Sequence, residues 1–324
     1  MEKILFIENV RQFWVNMGLV TESNSNITIY NANKNIEKNF EVFYPTIKYN
    51  NKDLFFYAHP NVFDFEMNLV FTCREGEGFE CLYKDVFICS RKIDFKRRQL
   101  LLYVNQIPSA ESDVYSYSLF TKFDEYIVLS NEDSKITVLS SIDLSLFWHL
   151  SFQELTGVEN IELHSDLVVV GNKLFFYLTN RLHNGVASTF CIDINSGKLI
   201  KEIPEFTGDV KLFDGMLYST CASVLEIMNP DNFTITKHDL SSELTKNDFV
   251  SISHFRWLVD GNRFYFVQDV GSHQAKVGVV DLRTMKITDK HLFPRKCGSI
   301  GTIKVSGNKL YVHTQDETLH IFEV

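Results

Sequence analysis

Short apolar segments along the chain alternate with polar residues and are interrupted at regular intervals by tight-turn residues. The pattern is clearest in VVVGNKLFFYL (168–178), LFDGMLYST (212–220), LVDGNRFYFV (258–267) and KVSGNKLYVHT (304–314). Each segment predicts a β-strand, a turn built on glycine, asparagine or aspartate, and a second strand. A hairpin repeated in this way predicts a repeat architecture made of strands.

Weaker copies of the hairpin occupy the first half of the chain, where the turn residues are less favourable. The strand after the turn recurs every 32 to 48 residues. Units of about 40 residues have the length of a four-stranded propeller blade, so the repeat predicts an all-β fold, a single β-propeller of antiparallel blades. Eight blades are favoured, and seven blades with one irregular unit over 60–112 are the alternative. The eight strands begin near Leu19, Leu54, Val86, Tyr126, Leu174, Leu217, Phe264 and Leu310.

The last repeat has only three strands, and its final one is TLHIFEV (318–324). One further strand, KILFIE (3–8), precedes the first repeat and belongs to no unit of its own. We expect KILFIE to pair beside TLHIFEV, because this closes the ring and removes exposed sheet edges that promote aggregation. No linker or low-complexity segment interrupts the repeats, so residues 1–324 are expected to form one domain.

Composition supports a folded protein with a large core, since 45% of the residues are hydrophobic and 14% are aromatic. The apolar run after Lys3 is too short for a signal peptide or a membrane span. The six cysteines therefore indicate reduced thiols, and we expect a cytoplasmic protein with no membrane partner. The content of asparagine, lysine, isoleucine and phenylalanine would suit a bacterium with an AT-rich genome.

The formal net charge of −9 argues against a nucleic-acid partner, because affinity for phosphates depends on lysine and arginine. One basic segment, RKIDFKRR (91–98), departs from this balance. A solvated hairpin whose charges protect a strand edge is the favoured interpretation of this segment. A docking patch for an acidic partner is the alternative.

The sequence contains no nucleotide-binding, metalloprotease or serine-hydrolase motif. Cys73, Cys81 and Cys89 are evenly spaced, but they fall in three different predicted strands, whereas zinc sites use close pairs of ligands. We therefore predict no metal and no cofactor. The three cysteines are interpreted as small core residues.

The repeats lengthen on one side of the predicted disc. Second-to-third-strand connections and the crossovers between blades are long, and the alternation of strands brings both to the same face. Long loops on a rigid scaffold usually carry binding and catalysis, so we predict the functional site on this face. Its candidate binding residues are Asp113, Tyr115, Glu154, Glu159, Arg181, His183, Asn184, Asp269, His273, Gln274, Arg295 and Lys296.

Two segments, FCIDINSGKLIKEI (190–203) and VVDLRTMKITDKHLF (279–293), resemble the quinoprotein-type propeller repeat. In that repeat a strand ending in aspartate precedes a Thr/Ser-Gly-Lys turn and a further strand. The chain also resembles WD-repeat propellers in its blades, without their Gly-His and Trp-Asp signatures. The resemblance implies a propeller and does not imply a quinone. Because Ile200 stands where the quinoprotein repeat often has tryptophan, we expect no docking tryptophan.

The favoured function is non-catalytic binding of another protein through the long-loop face, because nothing in the loops resembles a prepared catalytic pair. A cytoplasmic, immunity-type neutraliser of a toxin is one specific form of this hypothesis. A small molecule, or a sugar held by exposed aromatic residues such as Tyr115 and Tyr117, is a further alternative ligand.

The alternative function is an enzyme, a hydrolase or lyase, with its site at the axial mouth of the propeller. In this hypothesis a histidine acts as general base beside a carboxylate, and an arginine holds an anionic substrate. The residues proposed for these roles are His183 or His273 as the base, Glu159 or Asp269 as the carboxylate, and Arg181 or Arg295 as the cation.

Overall fold

The computed structural model describes most of the chain as β-strands. The described residues are 1–15, 19–23, 26–30, 36–41, 46–50, 53–64, 66, 68–83, 86–117, 119–131, 134–180, 187–268 and 274–324. The strands form eight four-stranded antiparallel sheets in a ring, and the fold is therefore an eight-bladed β-propeller. The predicted fold class is confirmed, with eight blades rather than seven.

The first half of the chain forms blades 1 to 4. Blade 1 contains β2 (Gln12–Val15), β3 (Leu19–Glu22), β4 (Asn26–Tyr30) and β5 (Ile36–Glu41), and blade 2 contains β6 (Thr46–Asn50), β7 (Asp53–Ala58), β8 (Asn61–Phe63) and β9 (Leu69–Thr72). Blade 3 contains β10 (Glu77–Tyr83), β11 (Val86–Lys92), β12 (Arg97–Val104) and β13 (Ile107–Ser116), and blade 4 contains β14 (Leu119–Phe123), β15 (Tyr126–Asn131), β16 (Lys135–Ser140) and β17 (Leu146–Ser151).

The second half forms blades 5 to 8. Blade 5 has a split inner strand, β18 (Ile161–Leu163) and β19 (Val168–Val170), followed by β20 (Lys173–Asn180), β21 (Ala187–Asp193) and β22 (Leu199–Ile203). Blade 6 contains β23 (Lys211–Phe213), β24 (Met216–Cys221), β25 (Val224–Met228) and β26 (Ile235–Asp239), and blade 7 contains β27 (Trp257–Asp260), β28 (Arg263–Gln268), β29 (Lys276–Asp281) and β30 (Lys286–Leu292). Blade 8 contains β31 (Ile300–Ser306), β32 (Lys309–Thr314), β33 (Leu319–Glu323) and β1 (Glu2–Ile7).

Three short helical segments lie in connections between blades: α1 (Phe152–Thr156), α2 (Ser241–Lys246) and a 3₁₀ turn (Arg295–Cys297). The Ser151 side chain accepts a hydrogen bond from the Glu154 N–H at the start of α1, and Gly157 ends the helix with φ at 71°. In the described part of the chain, the helices are too short and too polar to cross a membrane.

The hydrophobic core of this molecule lies between the blades. In the described residues it divides into eight clusters, and each cluster joins two neighbouring blades of the ring. Phe175 and Cys191 of blade 5, for example, pack with Leu217 of blade 6. The middle of each sheet is therefore buried on both faces, which explains the nearly continuous apolar runs in the second and third strands of the blades.

The N-terminal strand completes the last blade, as predicted. β1 pairs antiparallel with β33, and Ile7 lies opposite Leu319 in the register. The N-terminal ammonium group of Met1 forms an ion pair with Asp289 on the outer strand of blade 7. The first and last strands of the chain are thus joined by backbone hydrogen bonds, which close the ring.

One prediction for blade 3 agrees with the structure and another is wrong. Residues 93–96 form the exposed turn between β11 and β12, so the basic segment 91–98 is a hairpin, as favoured from the sequence. Residues 107–116 form the outermost strand β13, whereas they were expected to be a loop. The segment is polar because most of this outer strand is exposed, and its backbone is held by pairing with the buried strand β12.

A docking tryptophan is present, contrary to the expectation drawn from Ile200. Trp148, on the outer strand of blade 4, is only 9% exposed and packs on the turn between the third and fourth strands of blade 5. Its indole N–H donates to the carbonyl of Ile194 at 2.7 Å. A Cβ atom on Gly197 would lie 2.7 Å from the indole ring, so the ring needs a glycine at this place. Trp148 therefore links blade 4 to blade 5 by packing and by a hydrogen bond.

Candidate functional site

The connections between second and third strands and those between blades emerge on one face of the disc, which we call the loop face. The opposite face, the turn face, carries the other turns. In the described residues the longest loop-face connections join blades 4 to 8 and span 152–160, 204–210, 240–256 and 293–299. Turns between third and fourth strands reach six residues at 229–234, so the two faces differ less than the sequence predicted.

Asp113 and Tyr115 do not lie in a loop, and this prediction of their position is wrong. Both lie on β13, near the end of that strand that approaches the loop face. Tyr115 pairs with Arg98 in the register, and its ring packs against the cluster between blades 3 and 4. Burial raises the pKa of Tyr115, and the negative charge of Asp113 adds to this effect.

Five other candidate residues lie in loop-face connections, in two groups on different sides of the ring. Glu154 and Glu159 lie between blades 4 and 5, and Gln274 precedes the third strand of blade 7. Arg295 and Lys296 lie in the 3₁₀ turn between blades 7 and 8. Glu159 and Arg295, which the enzyme hypothesis brings together, are thus separated by three of the eight blade positions.

The remaining candidates lie outside the described residues. They belong to the second-to-third-strand connections of blades 5 and 7. These residues are Arg181, His183, Asn184, Asp269 and His273.

A cavity of about 460 Å³ opens on the loop face where blades 5, 6 and 7 meet. The sequence did not identify its lining, although two of the long crossovers contribute to it. Thr179 and Ala187, on the second and third strands of blade 5, also contribute. The lining residues are His164, Tyr177, Thr179, Ala187, Thr207, Gly208, Asp209, Cys221, His254 and Phe255.

An ion pair between a buried carboxylate and a partly exposed lysine supports the wall of this cavity. The Asp209 carboxylate, 4% exposed as a residue, accepts a hydrogen bond from the Asp166 N–H at 3.1 Å and lies 3.2 Å from the Lys211 ammonium group. Burial raises the pKa of Asp209, and the charge of Lys211 opposes that effect. Lys211 also donates to the carbonyls of Phe255 and Trp257, both at 2.9 Å. The pair thereby ties blade 6 to the connection that enters blade 7.

Gly208 sets the path of the backbone beside this ion pair. Its φ of +101° is rarely adopted by residues with a side chain. A Cβ atom there would lie 2.4 Å from the carbonyl oxygen of Thr220 on the neighbouring strand. Glycine is therefore required at this position of the cavity wall.

The rim of the cavity is aromatic. Phe255 is 54% exposed, and its ring lies 6.4 Å from the ring of His164. The Nε2 atom of His164 lies 3.2 Å from a carboxylate oxygen of Glu162, so this histidine already has an acidic partner. Burial raises the pKa of Tyr177, which keeps its phenol neutral. The rim therefore presents mainly aromatic rings and neutral polar groups to a ligand, and few unpaired charges.

A smaller cavity of about 240 Å³ lies between blades 4 and 5. It contains Glu159 together with Ser134, Ser151 and Gln153 at the start of α1. Glu159, one of the predicted candidates, therefore lines a polar cavity. Its lining contains no histidine or arginine among the described residues.

One group of metal-ligand side chains is present in the described part of the chain, at the boundary of blades 7 and 8. Donor atoms of Cys297, Asp316 and His320 lie within 4.8 Å of one another. Burial lowers the pKa of His320 to about 4, so its ring is neutral at pH 7. Burial raises the pKa of Cys297, and the charge of Asp316 raises it further. Sequence spacing gave no sign of this group, because its members come from separate connections and strands.

No family model and no curated protein matches this sequence. Solved structures resemble the whole chain at low identity. The computationally designed Ika8 protein has a TM-score of 0.68 and 9% identity, with 98% of this chain and 96% of that chain covered. BamB from Moraxella catarrhalis has a TM-score of 0.64 and 10% identity, with 99% of each chain covered.

Sqt1 from Saccharomyces cerevisiae has a TM-score of 0.65 and 10% identity, with 100% of this chain and 99% of that chain covered. BamB is a quinoprotein-like propeller and Sqt1 is a WD40 propeller, so the resemblance drawn from the blade sequences is confirmed at the level of fold. These comparisons agree with the β-propeller fold of this chain, and no specific family is identified.

Proposed function

We propose that this chain is a non-catalytic protein-binding propeller, a single domain over 1–324, whose partner docks on the loop face above the cavity between blades 5, 6 and 7. The observation that carries the proposal is the exposed ring of Phe255 on the rim of that cavity. Val250, in the same connection, is 61% exposed. Exposed apolar side chains beside a concave surface are typical of sites where a partner inserts an anchoring side chain.

The charges around the cavity favour an apolar or aromatic anchor. The carboxylate of Asp209 is already paired with Lys211, and His164 is already paired with Glu162. A charged ligand would therefore compete with the Asp209–Lys211 ion pair and with the contact between His164 and Glu162, whereas an aromatic or aliphatic side chain would contact the rings of Phe255 and Tyr177. Aromatic contacts of this kind supply much of the affinity at protein interfaces.

The wide distribution of the other loop-face candidates also supports a protein partner. Glu154, Gln274 and Lys296 lie on connections of different blades, so one small substrate could not contact all of them. A protein that covers the loop face could contact several at once, because a typical interface buries about 800 Å² on each partner.

The propellers of similar fold include BamB and Sqt1, and a protein-interaction scaffold fits that architecture. Within this proposal the specific form is a cytoplasmic, immunity-type neutraliser that covers the active site of a toxin. Support for this form comes from the sequence, in which no nucleotide-binding, metalloprotease or serine-hydrolase motif is present. This form of the proposal requires the partner to be toxic when it is produced alone.

Substitution Phe255→Ala is expected to weaken partner binding by about 30-fold, since loss of a central aromatic anchor costs about 2 kcal/mol. Phe255→Asp should abolish capture, because it places a charge in an apolar contact. The measurement is co-purification of the tagged full-length chain from its own cells, with quantitative mass spectrometry of bound proteins. Since the side chain is half exposed, the variants should keep the wild-type melting temperature.

The matched control is Ile142→Ala, which removes an apolar side chain that is 70% exposed on the turn face. This control should retain every partner of the wild-type chain. Equal loss of the partner in both variants, or equal retention, would contradict docking at Phe255. To test the toxin hypothesis, the captured protein is then produced alone and with the chain. Growth arrest that the wild-type chain relieves and Phe255→Asp does not would support neutralisation, whereas a harmless partner would refute it.

A further inference from the structure

We propose that Cys297, Asp316 and His320 form a binding site for a divalent transition-metal ion of the zinc type. Cys297 ends the 3₁₀ turn before blade 8, Asp316 lies in the turn between β32 and β33, and His320 lies on β33. Thiolate, imidazole and carboxylate are the side chains that bind zinc in proteins, and sulfur and nitrogen donors disfavour magnesium and calcium. The proposal is independent of the partner proposed for the loop face.

The backbone already holds the two connections together. The Asp316 N–H donates to the carbonyl of Cys297 at 3.2 Å, and the Gln315 N–H donates to the carbonyl of Ser299 at 2.9 Å. Gly298 allows this close approach, because a Cβ atom there would lie 2.7 Å from the side-chain oxygen of Gln315. The ligands are thus placed near one another before any ion binds, which reduces the ordering cost of binding.

The surroundings of His320 also fit a metal ligand. Its ring is 3% exposed, and its Nδ1 atom is buried with no hydrogen-bond partner. The Nε2 atom lies 3.0 Å from the hydroxyl of Thr314, and that hydroxyl lies 2.7 Å from Asp316. The ring of Phe293 packs edge-on at 5.0 Å and fixes its orientation. Outer hydrogen bonds of this kind hold histidine and carboxylate ligands in position at zinc sites.

The three donor atoms need to move only a short distance to bind one ion. Donor atoms at about 2.0–2.3 Å from a tetrahedral ion are about 3.3–3.8 Å apart, and the three donors now lie within 4.8 Å. Asp316 is exposed and has room to adjust, while the two buried ligands stay in place. Three protein ligands leave the fourth position to water at the exposed side of the site.

The charges and the protons are also balanced when the ion binds. Without an ion, the Cys297 sulfur lies within 4.8 Å of a carboxylate oxygen of Asp316 and carries its proton. On binding, the S–H bond breaks, the proton leaves to solvent and the thiolate donates its electron pair to the ion. One thiolate and one carboxylate then neutralise the two positive charges, beside the ammonium groups of Lys3 and Lys296, which favour the thiolate.

The experiment uses the full-length protein, stripped with a chelator and titrated with Zn²⁺ by calorimetry and with Co²⁺ by absorption. We expect one Zn²⁺ per chain with a Kd below about 10 μM, and a thiolate-to-cobalt charge-transfer band. Cys297→Ser should remove that band. Asp316→Asn, at an exposed position, should leave the melting temperature of the stripped protein unchanged and weaken Zn²⁺ binding by about 10- to 100-fold.

The matched control is Cys221→Ser, which removes the exposed cysteine on blade 6 and should leave both the band and the affinity unchanged. His320→Gln should weaken binding as Asp316→Asn does. A charge-transfer band that persists in Cys297→Ser, a band that Cys221→Ser removes, or a Kd above about 10 μM for Zn²⁺ would overturn the proposal. None of these outcomes bears on docking at Phe255.

Discussion

Removal of residues 1–8 is expected to destabilise the whole propeller and to promote its aggregation. The deleted strand pairs with β33 along its length, and its Leu5 and Ile7 side chains pack against the core between blades 8 and 1. Backbone hydrogen bonds of about 1 kcal/mol each, together with the lost burial, amount to roughly 5 kcal/mol or more. Total stabilities are only about 5–15 kcal/mol, so most of the stability should be lost. Thermal unfolding and size-exclusion chromatography measure both effects.

Aggregation is expected because the deletion exposes the edge of β33. Leu319, Ile321 and Phe322 on that strand are fully buried in the closed ring. An apolar strand with unpaired backbone groups is a template for pairing with another chain. A synthetic peptide of residues 1–8 should therefore restore the melting temperature as its concentration rises, because it supplies the missing strand.

The control for the deletion is Phe6→Ser. Phe6 lies on the same strand and is 54% exposed, so its replacement keeps the backbone pairing and should change the free energy of unfolding by about 0.5 kcal/mol or less. A truncated protein that melts at the wild-type temperature would contradict the role of β1 in ring closure.

The fold could be predicted because its signals are local. The second strand of every blade begins within one residue of its predicted start, from Leu19 to Leu310. An apolar strand next to a tight turn identifies a hairpin whatever surrounds it. The outer strands lack this signal, since they need no apolar face. The polar segment 107–116 therefore resembled a loop, and only its pairing with β12 makes it a strand.

The candidate site could be predicted only as a face of the disc. The cavity brings together Tyr177 from one blade, Asp209 from a crossover and Phe255 from the next crossover. These residues are 32 and 46 positions apart in the sequence, and no local pattern links them. The same holds for Cys297 and His320, which meet because β33 returns beside the connection that enters its own blade.

The docking tryptophan was missed for a related reason. The expectation was drawn from Ile200, on the outer strand of blade 5, whereas the tryptophan lies one blade earlier. Trp148 acts on the turn of the following blade, so its partner Gly197 is 49 residues away. The interaction belongs to the boundary between two repeats and is not visible within either repeat alone.

Trp148→Ala is expected to lower the free energy of unfolding by about 3–5 kcal/mol. The substitution leaves a cavity between blades 4 and 5 and removes the hydrogen bond to the carbonyl of Ile194. Trp148→Phe keeps a ring and loses the hydrogen bond, so it should cost about 1–2 kcal/mol. The matched control is Phe147→Ala on the same strand, where the side chain is 48% exposed and the expected cost is below about 1 kcal/mol. Unfolding in denaturant measures the free energy of unfolding of the three variants.

Gly197→Ala tests whether Trp148 acts through this turn. With φ at +70° and a Cβ 2.7 Å from the indole ring, alanine should cost about 2–3 kcal/mol in the wild-type chain. In the Trp148→Ala background the overlap with the ring is gone, and only the backbone cost of about 1 kcal/mol remains. The double variant should therefore be more stable than the sum of the two single effects by about 1–2 kcal/mol. Additive costs would mean that the indole ring and the turn do not interact, and that the stabilisation by Trp148 comes from packing within its own blade.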